Sequence, residues 1–530
     1  MASKLAAPEI SGETTSAGRG KRPRPPFGVS VVAILAVLIA LFSLIPLGYV
    51  IFMTAATGWD AAVALIFRER VGELLLNTVL LMVITVPLCL VLGVGGAWLV
   101  ERTNLKGHRW WAVLLAAPLA IPAFVNSYAW VSAVPSLGGL WSGVLIATLS
   151  YFPLVYIPAA ATLSRLDPAI EQSAASLGLG AWRAFFRVVL PQLRIAMTGG
   201  ALLVSLHLLA EYGAFAMIRF DTFTTAIMVQ YRSTFNGTAG NMLASVLVFI
   251  CLILLLVEVR GRGSARYARV GSGTQGRALR LPLHAYQVPA QLSLIALTGL
   301  AFGLPLTFVL RWILAGGPEI WAADEFLPAL LQTLAYGLAG AIATTVVAFP
   351  MAYLAVRHPS WFSKALELSN YVTSSMPGIV VGLAFVTVSI RLAPGMYQTA
   401  GLLIAAYVLL FLPRALVNIR SGMSQAPKEL DEAAQALGKP PLLSFLLVTL
   451  RLTAPAAAGG AALVFLAIVN ELTATLLLSP NGTRTLATEF WSKSSEIDYA
   501  GAAPYALLMI LISAPMTYLL FQQSKKAAGQ

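Results

Sequence analysis

Charged side chains are scarce in this chain of 530 residues, of which only 11% are Asp, Glu, Lys or Arg. By contrast, 58% of the residues are hydrophobic, and the mean hydropathy is +0.80. Soluble domains carry about 25% charged residues. The low charge therefore excludes an ordinary soluble enzyme or binding module and predicts a chain embedded in a membrane.

Cysteine and histidine are also rare. The two cysteines, Cys89 and Cys251, lie in separate apolar runs, and the four histidines form no H-x-x-x-H pair. These counts exclude a disulfide framework and a cysteine-based zinc site. We predict no metal ligands.

Nucleotide-binding and hydrolase motifs are missing from the sequence. The nearest match to the phosphate-binding motif G-x-x-x-x-G-K-[ST] is Gly438-Lys439, which lacks the upstream glycine. G-x-S-x-G and H-E-x-x-H do not occur. We therefore predict that the chain is not an enzyme and binds no cofactor of its own.

The net charge of +13 raises the alternative of a nucleic-acid partner, but the placement of the cations favours a membrane topology. If the N-terminus lies inside the cell, 27 of the 35 Lys and Arg residues fall on the cytoplasmic side. Such an excess follows the positive-inside rule. We predict that the N- and C-termini are both cytoplasmic and that lipid, rather than nucleic acid, surrounds the chain.

Twelve apolar stretches are long enough to cross a bilayer as helices, which takes about 20 residues. The predicted spans are 29–53, 74–100, 110–134, 137–162, 194–218, 241–259, 290–315, 327–356, 365–391, 396–419, 454–478 and 501–521. The expected fold is an all-α polytopic membrane protein with about 12 transmembrane helices.

The second part of the chain repeats the first in a nearly constant register. The early matches lie 255 residues apart and the later ones 260 residues apart, which one short insertion reconciles. The matched pairs include Pro122 with Pro377, Pro153 with Pro413, Gly178 with Gly438, Glu211 with Glu471, and Thr225 with Thr485. This pattern predicts an internal duplication into two parallel six-helix repeats.

The repeats and the composition define the expected organisation of the chain. A basic Gly/Arg-rich segment separates the halves; its charge is explained by the positive-inside rule, with binding to lipid headgroups or a partner as the alternative. The predicted parts are a disordered cytoplasmic tail (1–28), a first half (29–259, core 73–259), a basic cytoplasmic linker (260–288), a second half (289–522, core 327–522) and a cytoplasmic tail (523–530).

Two short polar stretches interrupt the apolar sequence at equivalent places. One reads EQSAASLGLGAWRAFFRVVLPQ over 171–192, and the other begins DEAAQALG at 431. Apolar residues at i, i+4 and i+7 give each stretch one apolar helical stripe, and Gly178 and Gly438 suit helix stops. We predict a short amphipathic cytoplasmic helix in each half. The alternative is a helix that only lies on the lipid headgroups.

These stretches resemble the cytoplasmic loop of type I binding-protein-dependent ABC importer permeases, which reads Glu-Ala-Ala, three residues, Gly, nine residues and I-x-L-P. The positions that carry the resemblance are Glu171, Gln172, Ser173, Ala174, Gly178, Leu190 and Pro191 in the first stretch, and Asp431, Glu432, Ala433, Ala434 and Gly438 in the second. Two departures stand out: Gln172-Ser173 replaces Glu-Ala, and Arg451 replaces the proline. The two loops therefore need not be equivalent.

The resemblance implies partners and a location. Each loop would dock on one of two copies of an ABC ATPase subunit, which would use ATP and Mg²⁺, and a periplasmic substrate-binding protein would deliver the cargo. The chain would lie in the bacterial inner membrane as two fused permease halves. The segments from Ala210 and Asn470 resemble those of ferric-iron permeases, while permeases for aminoethylphosphonate, thiamine, sulfate or polyamines share much of the pattern.

Two acidic residues lie within predicted spans at matched positions, Glu211 and Glu471. A charge in a span is costly unless it is partnered or faces water, which makes it a candidate for function. His207, four residues before Glu211, is expected on the same helical face. These residues would line a pathway or gate, or else make structural hydrogen bonds. They also allow the alternative of a secondary transporter driven by an ion gradient, which would leave the paired loops unexplained.

Overall fold

The computed structural model describes residues 27–166, 173–174, 176–234, 236–262 and 280–527. These residues form helices and contain no β-strand; a single parallel bridge joins Thr103 and Leu281. The expected all-α polytopic fold is confirmed for this part of the chain.

The described helices of the first half follow the predicted spans closely but break several of them into two. They are α1 (Phe27–Ser43), α2 (Ile45–Thr57), α3 (Trp59–Ile66), α4 (Glu69–Arg102), α5 (His108–Leu114), α6 (Ala123–Ala133), α7 (Gly139–Tyr151), α8 (Pro153–Leu163), α9 (Ala181–Ala184), α10 (Leu190–Gln192), α11 (Arg194–Ala210), α12 (Gly213–Met217), α13 (Phe223–Arg232) and α14 (Gly237–Arg262).

The described helices of the second half have a similar sequence of long and short elements. They are α15 (Gln287–Thr298), α16 (Leu304–Gly316), α17 (Ala323–Arg357), α18 (Trp361–Ser374), α19 (Gly378–Leu392), α20 (Ala400–Gln425), α21 (Lys428–Ala436), α22 (Pro441–Ser444), α23 (Leu450–Val469), α24 (Thr473–Leu478), α25 (Leu486–Ser495) and α26 (Tyr499–Ala527).

Within the described ranges, eight helical segments are long and apolar enough to cross a membrane, and four bent pairs raise the number to twelve. Those twelve correspond in order to the predicted spans. Two predicted spans are wrong at their ends. The helices expected over 194–218 and 454–478 stop at Ala210 and Val469, and a short helix follows each break.

The same three-helix unit occurs in each half. In the first half α4 packs against α8 and α11, and in the second half α17 packs against α20 and α23. The close approach in both units depends on glycine: a Cβ on Gly200 would lie 3.1 Å from the Cα of Val155, and a Cβ on Gly460 would lie 3.1 Å from the Cβ of Asn418. Small residues allow such contact between helices in a membrane, where apolar burial against lipid provides little driving force.

The first span of each half packs on the other half. Helix α1 contacts α17 and α18, and α2 contacts α19, whereas α16 packs against α6. Buried hydrogen bonds support the first exchange, since Ser43 donates to Asn370 Oδ1 over 2.8 Å. The two halves are therefore interlocked as well as adjacent.

The residues just before α15 are attached to the first half. Leu281 N donates to Arg102 O over 2.9 Å, and Asn104 N donates to Leu281 O over 3.0 Å. Leu283 N donates to the Asn104 side chain over 2.9 Å. The end of the predicted linker thus lies beside the end of α4. We call this side of the bundle, which also carries α21, the loop face.

Candidate functional site

The second polar stretch forms α21, a nine-residue helix on the loop face that buries none of its residues. Its end has a Schellman-type cap: Lys439 N donates to Ala434 O over 3.1 Å, and Gly438 has φ of +83°. A left-handed residue at this position favours glycine. The predicted helix stop is therefore present, and Glu432, Ala433 and Ala434 lie on the helix that it ends.

The first polar stretch ends in the same way. Leu179 N donates to Ala174 O over 3.0 Å, and Gly178 has φ of +82°. Ser173 and Ala174 are helical, whereas Glu171 and Gln172 lie outside the described residues, as does the start of this predicted helix.

Large apolar side chains on both loops are uncovered. Leu177 and Leu437, at matched positions next to the glycines, are 82% and 83% exposed. Trp182 and Leu442, also at matched positions, are 69% and 72% exposed. Since monomeric proteins rarely expose contiguous apolar patches unless something binds there, these surfaces are candidates for contact with a partner or with lipid.

A buried ion pair holds α21 in the second half. Arg357, the last residue of α17, places Nη2 3.0 Å from Asp431 Oδ2. Thr449 donates its hydroxyl to Asp431 Oδ2 over 2.6 Å, and Ser444 donates to the Asp431 carbonyl oxygen over 2.9 Å. Sequence reasoning missed Arg357, although it precedes a predicted loop at the end of a span and matches Arg102 in the repeat.

Each loop leads back into the membrane through one π-helical turn, at Phe185–Val189 and Phe445–Thr449. Beyond it the halves differ. Pro191, two residues after the first turn, lacks an N–H for the helical ladder, and the chain bends by 68° between Trp182–Gln192 and Arg194–Ala210. Arg451 stands at the matched position, and the segment Pro441–Val469 continues as one span.

Glu211 and Glu471 lie at the two helix breaks and cap the short helices that follow. Glu211 Oε1 accepts from Ala214 N and Glu471 Oε1 accepts from Ala474 N, both over 2.8 Å. Each carboxylate thus satisfies an amide at the start of a helix. The structural role is therefore present, and it leaves the second carboxylate oxygen available for other contacts.

The prediction that His207 and Glu211 share one helical face is wrong. Glu211 has extended backbone angles and lies outside α11, so the two residues do not share a helical face. They meet through Tyr151 instead, whose hydroxyl donates to Glu211 Oε2 over 2.6 Å and whose ring centroid lies 5.4 Å from that of His207.

Arg414 on α20 completes a polar cluster between the halves. It lies within electrostatic range of Glu471 in its own half and of His207 in the other half, and Glu471 also interacts with Glu211. Arg414 is exposed, as are Ser421 and Ser424 further along the same face of the helix. Sequence reasoning missed this residue, although a charge inside the predicted span 396–419 could have revealed it.

The sequence predicts no metal ligands, and the structure bears on this prediction only for the residues that it describes. Among the residues that the structure describes, no three His, Cys, Asp or Glu side chains are grouped so that they could hold a metal ion. Cys89 and Cys251 are both free and buried.

A bundle of up to twelve spans, with polar side chains between two similar halves and paired helices on one face, defines the class: a polytopic membrane transport protein. Comparison with known proteins narrows this class. Residues 344–527 match the family model described as binding-protein-dependent transport system inner membrane component. This range contains most of the predicted core of the second half and its whole loop.

Relatives extend the match to nearly the full length. The chain is 35% identical over 500 residues to the Fe(3+)-transport system permease protein FbpB 2 of Haemophilus influenzae, covering 94% of this chain and 98% of that protein. It is 23% identical over 407 residues to the ferric transport system permease protein FbpB of Actinobacillus pleuropneumoniae, covering 72% and 58%. This chain belongs to the permeases of binding-protein-dependent ABC importers.

A more distant relative is named for another substrate. The sulfate transport system permease protein CysT of Escherichia coli is 27% identical over 256 residues, which is 44% of this chain and 92% of that protein. A protein about half as long thus matches over almost its whole length, in agreement with a chain made of two permease halves.

Proposed function

We propose that this chain is the membrane subunit of an ATP-driven importer for ferric iron. The observation that carries the proposal is the 35% identity to a ferric permease over 94% of the chain. The importer would lie in the bacterial inner membrane, with both termini and the loop face in the cytoplasm. A periplasmic binding protein would deliver iron at the opposite face.

The two loops are the proposed contacts for two copies of an ABC ATPase subunit. Helix α21 exposes all of its residues except Asp431 and Ala434, which are half-buried. The exposed Leu437 and Leu177 give both loops an apolar contact at the same position. ATP and Mg²⁺ would be bound by those subunits, since this chain has no nucleotide-binding motif. Closure of the ATPase pair would draw the loops together.

The polar cluster between the halves is the proposed pathway. Rocking of the two three-helix units would open it alternately to each side, as expected for a transporter with two states biased by a partner. The exposed face of α20, from Arg414 towards the loop face, fits a water-filled opening in that direction. Glu211 and Glu471, at the matched breaks after α11 and α23, would form the constriction where the halves meet.

A second candidate cargo is an oxyanion such as sulfate. Arg414 favours it, because a guanidinium in the pathway attracts a planar or tetrahedral anion and repels a bare metal cation. Sulfate permeases are also among the relatives. Aminoethylphosphonate, also considered from the sequence, carries a tetrahedral oxyanion too, so Arg414 would suit it as well. Thiamine and polyamines are cations and have no specific support from these residues.

Uptake by cells separates the two cargoes. A strain that lacks this gene would be supplied with radioactive ferric iron or radioactive sulfate, with and without a plasmid carrying the wild-type chain. We expect restored uptake of iron and no change for sulfate. Restoration of sulfate uptake alone would overturn the iron proposal while leaving the importer mechanism in place.

A further inference from the structure

We propose that Arg357 is a positioning residue for energy coupling, which fixes the loop helix α21 to the core of the second half through Asp431. Movement of a docked α21 would then be transmitted to the core helices. This inference rests on the proposed function, because it assumes that an ATPase subunit binds the loop.

The guanidinium of Arg357 joins separate elements at a buried point. Its side chain is 7% exposed and that of Asp431 is 18% exposed. Besides the ion pair, Nη1 donates to the carbonyl oxygen of Ala426 over 3.1 Å, at the end of α20. The planar fork of arginine can hold two acceptors at fixed angles, which lysine cannot do.

The carboxylate of Asp431 extends the connection to α23, the third helix of the three-helix unit in the second half. Thr449, which donates to Asp431, is the last residue of the π-helical turn before α23. Arg357 Nη2 also lies 3.3 Å from the Thr449 hydroxyl. One buried cluster therefore connects α21 with the ends of α17 and α20 and with the start of α23.

Helix α21 has few other attachments. None of its side chains is buried, and its neighbours are the short helix α22 and the π-helical turn. Apolar packing therefore cannot fix its position relative to α17. A polar cluster with directional bonds provides that rigidity, and a rigid connection is what transmission of a movement requires.

The first half has the arginine but not the hydroxyls. Arg102, which matches Arg357, donates to the carbonyl oxygen of Leu166 over 3.2 Å, the position that matches Ala426. Ala184 and Val189 stand where the second half has Ser444 and Thr449. The threonine contact to the acidic residue is thus specific to the second loop, and Thr449→Val copies the first half at that point.

The test uses the full chain in proteoliposomes with its ATPase subunit and binding protein, and measures ferric iron imported per ATP hydrolysed. We expect Asp431→Asn and Arg357→Gln to lower this ratio about tenfold, as expected for loss of a hydrogen bond between charged groups. Arg357→Lys and Thr449→Val should lower it by a smaller factor. Lys364→Gln removes an exposed charge from the same face and should leave the ratio unchanged.

A distance measurement separates positioning from simple stability. Spin labels at Gln435 on α21 and Lys364 on α18, in a chain whose two cysteines are replaced by serine, report the distance between the loop and the core. We expect a broader distance distribution in Asp431→Asn and, to a lesser extent, in Thr449→Val. The second variant keeps the ion pair, so it gives a result even if Asp431→Asn fails to insert.

The outcomes distinguish this inference from the proposed function. If the wild-type chain imports no iron with ATP, the proposed function fails. If the wild type imports iron, and the variants keep both the wild-type ratio and a narrow distance distribution, the positioning role of Arg357 is wrong and the proposed function stands. A lowered ratio together with a broadened distribution supports the inference.

Discussion

In their described residues, the two loops share backbone features but differ in the side-chain contacts that attach them to the core. Both end in a glycine with φ above +80° and continue through one π-helical turn. Both also place an aromatic pair at matched positions: Trp98 with Phe185, 5.7 Å between ring centroids, and Tyr353 with Phe445, 5.6 Å. The duplication has kept the end of the loop and its aromatic contact with the first helix of each three-helix unit, α4 or α17.

The differences lie around that shared contact. The first loop adds Trp182, which stacks on Trp98 at 6.1 Å, whereas the second has the exposed Leu442 at the matched place. The second loop adds the hydroxyls of Ser444 and Thr449 around Asp431. Aromatic stacking tolerates sliding, whereas charge-assisted hydrogen bonds fix a distance and an angle. Among the described residues, the two loops therefore differ in the kind of contact that each adds, aromatic in the first and hydrogen-bonded in the second.

The largest expected effect comes from the loop glycines. Gly438→Asp places a side chain at φ of +83°, which costs about 1–2 kcal/mol for most residues and less for Asp, and it adds a charge beside the exposed Leu437. We expect iron uptake to fall to background while the chain still inserts. Uptake by cells and the amount of chain in membranes are the measurements.

The matched change at Gly178 sharpens the comparison. Gly178→Asp imposes the same backbone strain at φ of +82° in the loop that has lost the Glu-Ala core. We expect a milder loss of uptake than for Gly438→Asp. An equal loss would show that both loops dock equally well, and wild-type uptake in Gly438→Asp would count against docking altogether.

The bend after the first loop gives the next largest effect. Arg451→Pro would introduce a proline where Pro441–Val469 is one continuous span, at a cost of about 3 kcal/mol for a helix interior. We expect a clear fall in thermal stability, read from the melting temperature in detergent. Pro191→Ala is the matched reverse change and should raise that temperature. If Pro191→Ala does not raise the melting temperature, contacts other than the proline fix the bend.

The capping carboxylates separate a structural from a pathway role. Glu471→Gln keeps a carbonyl oxygen that can accept from Ala474 N but removes the charge between the halves. Loss of a cap costs about 1 kcal/mol, so Glu471→Gln should melt close to wild type while Glu471→Ala should not. If Glu471→Gln also lowers uptake, the charge matters for the pathway; unchanged uptake would leave only the capping role.

The smallest expected effect is at Glu489 on α25, where the first half has Ala226 at the matched position after the N-cap. Burial raises the pKa of the Glu489 carboxyl, so its ionisation opposes folding at neutral pH. We expect Glu489→Gln to raise the melting temperature slightly above about pH 5 and to lose this gain below the ordinary carboxyl pKa of about 4.3. A gain that does not depend on pH would contradict this reading.

Much of the architecture follows from the sequence because apolar length and glycine position are local signals. Twelve apolar stretches correspond to the potential spans, and both loop glycines have positive φ. The predicted pairing of residues between the two repeats is wrong at Thr225 and Thr485. Thr222 and Thr485 are the N-caps of α13 and α25, so Thr222 rather than Thr225 matches Thr485, because the second half has a longer turn there.

The remaining features depend on contacts that hydropathy cannot show. The breaks at Glu211 and Glu471 fall inside runs that stay apolar on both sides, so composition predicts a continuous helix there. The pair of Arg357 and Asp431 spans 74 residues, and the exchange of α1 and α16 between the halves joins parts still further apart. No single-sequence periodicity reports such pairings.

The central claim is that transport by this chain is driven by ATP through a partner at the loops. The most direct measurement reconstitutes the purified chain in proteoliposomes with and without the ATPase subunit and binding protein, and follows radioactive ferric iron. We predict accumulation only when ATP and both partners are present, and none from a proton gradient alone. Uptake driven by a proton gradient in vesicles that contain only this chain would contradict the account.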